Sequence, residues 1–241
     1  MTYGEIRALA TAADVAAEAA RDAIDTLAAA IERHGSAVWV LAGGSSPMAA
    51  YRIISSEHSD AVDWSRVHVL IGDERAVPLD DPDSNWGTIA PVLLTAGLDA
   101  VIRLRPEVER PAEEAARRYA DVLSALPATA SGAPRLDLVW LGVGEDGHTL
   151  SLFPGHPDFR PTDELVAVVH DSPKPPPTRI TLTLAAMAGA QRAVVFATGA
   201  AKREALAEAL AEGQLPIAVV AGRVVDAGGE VVWLFDEAAR G

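Results

Sequence analysis

Four short apolar runs constrain this chain more than any other feature. Residues 37–42 (AVWVLA), 67–71 (VHVLI), 136–141 (LDLVWL) and 193–197 (AVVFA) are rich in β-forming side chains, and each passes directly into a loop of glycine and polar residues. Runs of this length are too short for buried helices and read as strands covered on both faces. Helical periodicity lies between them. The clearest case is 11–33, where Thr11 and Asp14 give a capping-box start, Ile24, Leu27 and Ile31 share one face, and Gly35 ends the segment. Further helices are expected at 111–126 and 200–212, and further strands at 101–104, 217–220 and 231–235. The alternation predicts an α/β fold: a doubly wound, mainly parallel sheet with helices on both faces. Loop-rich stretches are expected at 78–85, 127–134 and 154–177. With 241 residues and no shift in composition along the chain, one domain over 1–241 is expected. In such a sheet ligands bind beyond the carboxyl ends of the strands, so the loops there are where chemistry is sought.

Composition narrows the function. The formal charge of −14 repels a phosphate backbone, so nucleic acid is not expected as a partner. No window approaches 18 uninterrupted apolar residues and the first residues show no leader pattern, which predicts no membrane association and a cytoplasmic location. Without cysteine, thiolate nucleophiles, disulfides and thiolate metal sites are excluded; His and carboxylate ligands show no recognised spacing, so no metal and no cofactor are expected. Of 20 basic residues only two, Lys174 and Lys202, are lysine. Where arginine serves generally, a retained lysine marks a position that can call for a compact ammonium.

Several loops carry possible chemistry. The turn GGSSP (43–47) joins a strand to a helix, with Pro47 suited to the first helical position, and offers Gly44, Ser45 and backbone N–H groups to an anion. It has neither the lysine nor the spacing of a P-loop. The string GVGEDG (142–147) has the letters of a dinucleotide fingerprint, but Pro154 and Gly155 interrupt any crossover helix after it. Its other use is to hold Asp146 and His148 at a strand end, with Asp146 orienting the imidazole or favouring its charged form. His148 is then the acid–base candidate, while His34, His58, His68, His156 and His170 read as structural. The residues Asp73, Glu74 and Arg75 end a neighbouring strand and are also compatible with a solvated turn. A proline-stiffened stretch, SPKPPPTR (172–179), delivers Lys174 and Arg179. Near the start of a helix, Lys202 opposes the macrodipole, a penalty that an anionic ligand would reverse.

Taken in order, GGSSP (43–47), GDER (72–75), LGVGEDGHTLSLFPG (141–155), SPKPPPTRITLT (172–183) and TGAAK (198–202) resemble the glucosamine-6-phosphate isomerase/6-phosphogluconolactonase family, on its lactonase side. The resemblance implies a Rossmann-like fold similar to glucosamine-6-phosphate deaminase. It also implies hydrolysis of 6-phospho-D-glucono-1,5-lactone, the second step of the oxidative pentose phosphate pathway, without a cofactor. It makes His148 the general base with Asp146 beside it, and puts the GGSSP loop, Arg179 and Lys202 around the phosphate. Asp73 and Arg75 would line the ligand end, and Asn85 matches a polar position after the GDER strand. Lys174 joins the substrate-binding set. The deaminases share the D-G-H core but continue into a segment with Asn and Glu, whereas Thr149 to Phe153 follow here. An amino-sugar-phosphate isomerase or deaminase and a silent sugar-phosphate-binding regulator are the alternatives. The expected partner is a small sugar-phosphate lactone, and the expected state a monomer or weak homo-oligomer.

Overall fold

The computed structural model describes residues 4–95, 97–157, 159–160, 162–211 and 213–241. Edge strand β1 (Glu5–Leu9) leads into helix α1 (Ala12–His34). Thr11 caps it: its hydroxyl accepts from the Asp14 N–H at 3.2 Å while the Asp14 carboxylate accepts from the Thr11 N–H at 3.0 Å, and Gly35 ends it at φ 80°. Strand β2 (Ala37–Leu41) is followed by α2 (Ser45–Glu57), β3 (Val67–Ile71), β4 (Asp73–Arg75), α3 (Asn85–Leu93), β5 (Ile102–Leu104) and α4 (Ala112–Ser124). The second half comprises β6 (Leu138–Gly142), β7 (Val166–Val169), β8 (Arg179–Leu182), α5 (Leu184–Met187), β9 (Arg192–Ala197), α6 (Arg203–Ala211), α7 (Pro216–Asp226), β10 (Glu230–Asp236) and α8 (Glu237–Arg240).

Seven strands form one sheet in the order β1-β10-β9-β6-β2-β3-β5, every pair parallel. Every residue of β2 is buried, as are β9 after Arg192 and β10 after Glu230, so both faces of the sheet centre are covered. The helices α1 and α2 pack on each other and on the sheet, and α7 packs on β9 and β10. Trp140 of β6 lies at the middle of an aromatic cluster, with ring centroids 4.9 Å from each of Trp39, Tyr51 and Phe196. Each such pair contributes about 0.5–1.5 kcal/mol beyond the area it buries. Two phenols clip strand ends: the Tyr51 hydroxyl donates to the Ala42 carbonyl (2.9 Å) and accepts from its N–H (3.0 Å), and Tyr119 does the same to Ile71 (2.8 and 3.0 Å). From β2 the chain winds outward through β3 to β5, and from β6 it winds the other way through β9 to β10. The direction of winding therefore reverses between β2 and β6, where a crevice opens at the carboxyl ends.

Five expectations are corrected. Residues 217–220 lie inside α7, because Pro216 starts a helix buried on most sides, and a short apolar run does not distinguish that from a strand. Residues 73–75 form β4, which with β8 and β7 makes a small antiparallel sheet, rather than ending β3 in a solvated turn. The stretch 154–177 contains β7, and Asn85 begins a helix rather than closing a loop. Pro47 is the third residue of α2, which starts at Ser45 with Gly44 as its cap. Glu212, expected to end a helix, lies outside the described residues, as do positions 158 and 161. No single helix among the described residues is long and apolar enough to cross a membrane.

Candidate active site

The crevice is built first from glycine. Gly43 follows β2, and a Cβ there would sit 2.1 Å from Oδ1 of Asn85, so only glycine lets α3 approach the end of the central strand. Next to it Gly44 adopts φ 91° and offers no side chain to the first turn of α2, whose Ser45, Ser46 and Pro47 line the cleft. The N–H groups of that turn have no side-chain cap and remain available as donors. Ser46 Oγ lies 2.8 Å from Thr198 Oγ1, which ties this turn to the loop after β9.

After β6 the loop is folded tightly around His148. The Gly144 N–H donates to the His148 carbonyl (2.8 Å), the Gly147 N–H donates to the Gly144 carbonyl (3.0 Å), and the Gly147 carbonyl accepts from Ile217 at the start of α7 (3.2 Å). The imidazole lies directly over Gly144, where a Cβ would come within 2.0 Å of its Nδ1. Nδ1 is 2.5 Å from Asp146 Oδ1, and the Lys174 ammonium lies 3.1 Å from the same oxygen and 3.4 Å from Nδ1. Phe153 packs on the ring at a centroid distance of 4.7 Å. Since Nδ1–H donates to a carboxylate, Nε2 carries the lone pair.

Electrostatics keep this imidazole neutral. Burial pushes the His148 pKa down and the Lys174 charge pushes it the same way. Hydrogen bonding and charge from Asp146, with the charge of Asp73, push it up, and the balance falls below the ordinary histidine value. The expectation that Asp146 favours the charged ring is thus overridden by burial, while its orienting contact is present. For Asp146 burial raises the pKa, but the hydrogen bonds and charges of His148 and Lys174 outweigh it and hold the carboxyl at about 2.

The far wall comes from the small sheet. Asp73 accepts from Ser151 Oγ (2.7 Å), and Asn85 Nδ2 donates to the Asp73 carbonyl (2.8 Å). Glu74, 1% exposed, accepts from the N–H groups of Arg75, Asn85 and Trp86 at 2.7–2.8 Å, so its carboxylate caps α3 and sets Asn85 in place. Burial pushes its pKa up, partly offset by those three donors. Arg75 donates Nη1 to the Asp83 carbonyl (2.7 Å) and leaves a buried Nε without a partner. Arg179, 3% exposed, gives Nε and Nη2 to backbone carbonyls, and its Nη1 is 3.9 Å from Asp73 Oδ2. Lys202 ends the 3-10 turn before α6; no carboxylate among the described residues pairs with it, and burial lowers its pKa.

The structure brings the ten candidate residues together. Gly44, Ser45, Asp73, Arg75, Asn85, His148, Arg179 and Lys202 line one cleft of about 200 Å³, and Asp146 and Lys174 sit against His148. Sequence reasoning missed Glu74 and Ser151 as supports. Glu74 was visible only as part of GDER, and Ser151 meets Asp73 across 78 positions. No group of three or more His, Asp or Glu side chains among the described residues is placed to hold a metal ion.

A family model described as glucosamine-6-phosphate isomerases/6-phosphogluconolactonase matches residues 10–233. The chain belongs to this family. A 6-phosphogluconolactonase of Mycobacterium tuberculosis is 34% identical over 229 residues, covering 92% of each chain. One from Streptomyces coelicolor is 39% identical over 217 residues, covering 85% of this chain and 81% of its own. The crystallographic 6-phosphogluconolactonase of Shewanella baltica superposes with a TM-score of 0.85 at 26% identity, covering 97% of both chains. The Trypanosoma brucei 6-phosphogluconolactonase structure superposes equally well, at 0.85 and 29% identity, over 99% of this chain and 98% of that one.

Proposed function

We propose that the protein hydrolyses 6-phospho-D-glucono-1,5-lactone to 6-phospho-D-gluconate in the pentose phosphate pathway, with His148 as the base that activates water. One observation carries the reading: a neutral imidazole oriented by a carboxylate shares a cleft with Arg75, Arg179 and Lys202, whose nearest carboxylate pairing among the described residues is the long 3.9 Å contact of Arg179 with Asp73, in a chain of net charge −14. Such a cleft attracts a sugar phosphate against the global field. The uncapped turn of α2, Lys202 and Nη1 of Arg179 hold the phosphate, while Asp73, Arg75 and Asn85 line the ligand end.

A lactone is an activated ester, so the protein has to position the ring and manage one proton. Nε2 of His148 takes a proton from water as the water oxygen bonds to the lactone carbonyl carbon. The tetrahedral adduct collapses by breaking the bond from that carbon to the ring oxygen, and the imidazolium returns the proton to the departing oxygen. Asp146 holds Nδ1–H throughout and stabilises the transient imidazolium. The decisive assay follows disappearance of freshly made lactone above its spontaneous hydrolysis. No acceleration, or release of ammonia from glucosamine 6-phosphate in its place, overturns the proposal.

A further inference from the structure

The strap at 172–178 has an unusual backbone account. Pro173, Pro175, Pro176 and Pro177 have no N–H, so between Ser172 and Thr178 only Lys174 can donate from the main chain. The carbonyls of this stretch therefore cannot be satisfied by a ladder or turn of their own. Ser172 and Arg179 satisfy those of residues 174–177, and that of Thr178 accepts from the Ala76 N–H (3.0 Å). Ser172 donates its N–H to the Pro177 carbonyl (3.0 Å) and its hydroxyl to the Lys174 carbonyl (2.8 Å). Arg179 donates Nε to the Pro176 carbonyl (3.1 Å) and Nη2 to those of Lys174 (3.0 Å) and Pro175 (3.1 Å). Three consecutive carbonyls thus converge on one planar guanidinium fork, a geometry that an ammonium does not reproduce.

Arg179 itself is fixed. It opens β8, pairs in register with Arg75 of β4, is 3% exposed, and lies over the Phe153 ring at 5.5 Å. The strap ends in the Lys174 side chain, which is 41% exposed, and its ammonium meets Asp146 at 3.1 Å and His148 at 3.4 Å. An ion pair on a long, half-exposed side chain holds one geometry more readily when its backbone is also held.

We infer that Arg179 is a positioning residue: by binding three carbonyls of the proline strap it sets the Lys174 ammonium against the Asp146–His148 pair. This rests on His148 being the base, and it gives Arg179 work beyond any contact with phosphate. The charged groups facing His148 are Asp146 on its own loop, Lys174 from the strap and Asp73 from β4, with Arg179 behind Phe153.

The test is an NMR titration of the His148 ring in the full-length protein, assigned with His148→Ala. Lys174→Ala removes a neighbouring cation and should move the titration upward. Arg179→Lys keeps the charge but loses the fork, and should move it in the same direction. In a Lys174→Ala background, Arg179→Lys should add nothing, whereas a direct field effect of Arg179 would persist there and overturn the inference. An unmoved titration in Arg179→Lys alone also overturns it. If Arg179→Lys does not fold, Ser172→Ala, which removes one tie of the same strap, should give a smaller upward shift, and no shift there counts against the inference. In turnover, Arg179→Lys should slow plain gluconolactone as well, by roughly 10- to 100-fold for a misplaced group beside the base, with a larger loss on the phosphorylated lactone from its phosphate contact. Selective loss on the phosphorylated substrate alone assigns Arg179 to phosphate binding only. Full activity in His148→Ala would instead remove the base assignment, and the titrations would still report separately whether Arg179 controls Lys174.

Discussion

The two ends of the central sheet treat charge in opposite ways. At the amino end, Asp22 of α1 accepts from Arg192 of β9 (Nε, 3.0 Å) and faces Arg7 of β1 (3.5 Å); Arg7 also meets Glu5 (2.8 Å) and Glu18 (2.9 Å), and Arg192 meets Glu230 of β10 (2.6 Å). Beside them Arg135 pairs with Asp137 (3.1 Å). Each of these cations has a carboxylate, and the network stitches α1 to three strands. At the carboxyl end Arg179 is bound mainly by carbonyls, with Asp73 no nearer than 3.9 Å, Arg75 keeps an unpartnered Nε, and Lys202 has no carboxylate partner among the described residues. Buried charge without a counter-charge opposes folding. Internal pairing therefore marks the end that stabilises the sheet, and incomplete pairing marks the end where the proposed phosphate would supply the missing charge.

The strongest way to break this contrast is at His148. Replacing it with alanine should lower kcat for the lactone by roughly 10²–10⁴-fold, the range for losing positioned acid–base catalysis, with little change in thermal stability. A folded His148→Ala protein with wild-type turnover would remove the catalytic half of the comparison. Asp22→Ala at the opposite end should do the reverse. It leaves Arg192 and Arg7 short of a buried partner and should destabilise by about 3 kcal/mol, at the low end because Arg192 retains Glu230, while kcat stays near wild type. Denaturant unfolding combined with the lactone assay checks both statements.

Lys202→Ala sharpens the other half. Loss of one charge-assisted contact worth about 1.5–3 kcal/mol should lower kcat/KM for the phosphorylated lactone by roughly 10- to 150-fold, with a much smaller loss on glucono-1,5-lactone. Equal losses would show that the unpaired cation is not a phosphate ligand. The pH profile is a gentler probe. Because the His148 pKa lies below its ordinary value of about 6.5, the acid limb of kcat/KM should be centred below that pH. Asp146, held at about 2, should not contribute to that decline. An acid limb centred above the ordinary histidine value would contradict the neutral-base picture. Finally, dialysis against a strong chelator should leave the rate unchanged, since no triad of His, Asp or Glu among the described residues is placed to hold a metal; loss of activity restored only by added metal would refute this.

What could be read from sequence alone follows the same division between local and distant contacts. The GGSSP turn and the D-G-H loop were legible because their geometry is set by neighbours in the chain: a glycine cap, a strand end, a carboxylate two residues from a histidine. The capping box of α1 was legible for the same reason. The contact of Lys174 with His148 spans 26 positions, that of Ser46 with Thr198 spans 152, and that of Ser151 with Asp73 spans 78, and no periodicity announces any of them. The small sheet is not legible because its strands are only three or four residues long and two of them, β4 and β8, start in charged residues, so Asp73, Glu74 and Arg75 read as the polar end of β3, compatible also with a solvated turn. Residues 217–220 read as a strand because Ile217 to Ala221 are apolar throughout, and so short an apolar run does not distinguish a buried helix from a strand.

The tyrosine clips have a consequence for how the loops above them can vary. From α2 and α4, Tyr51 and Tyr119 reach Ala42, just past the end of β2, and Ile71, the last residue of β3, so the backbone is anchored where it leaves the sheet. Loop residues beyond those points need not serve as the knots that stop the strands from fraying. Amide hydrogens of Ala42 and Ile71 should accordingly exchange with solvent far more slowly than those one or two residues further on, and Tyr→Phe changes should speed exchange there before they alter the cleft. A scaffold secured from behind can accept new loop sequences at its rim, which makes this rim the natural place to graft a different ligand preference.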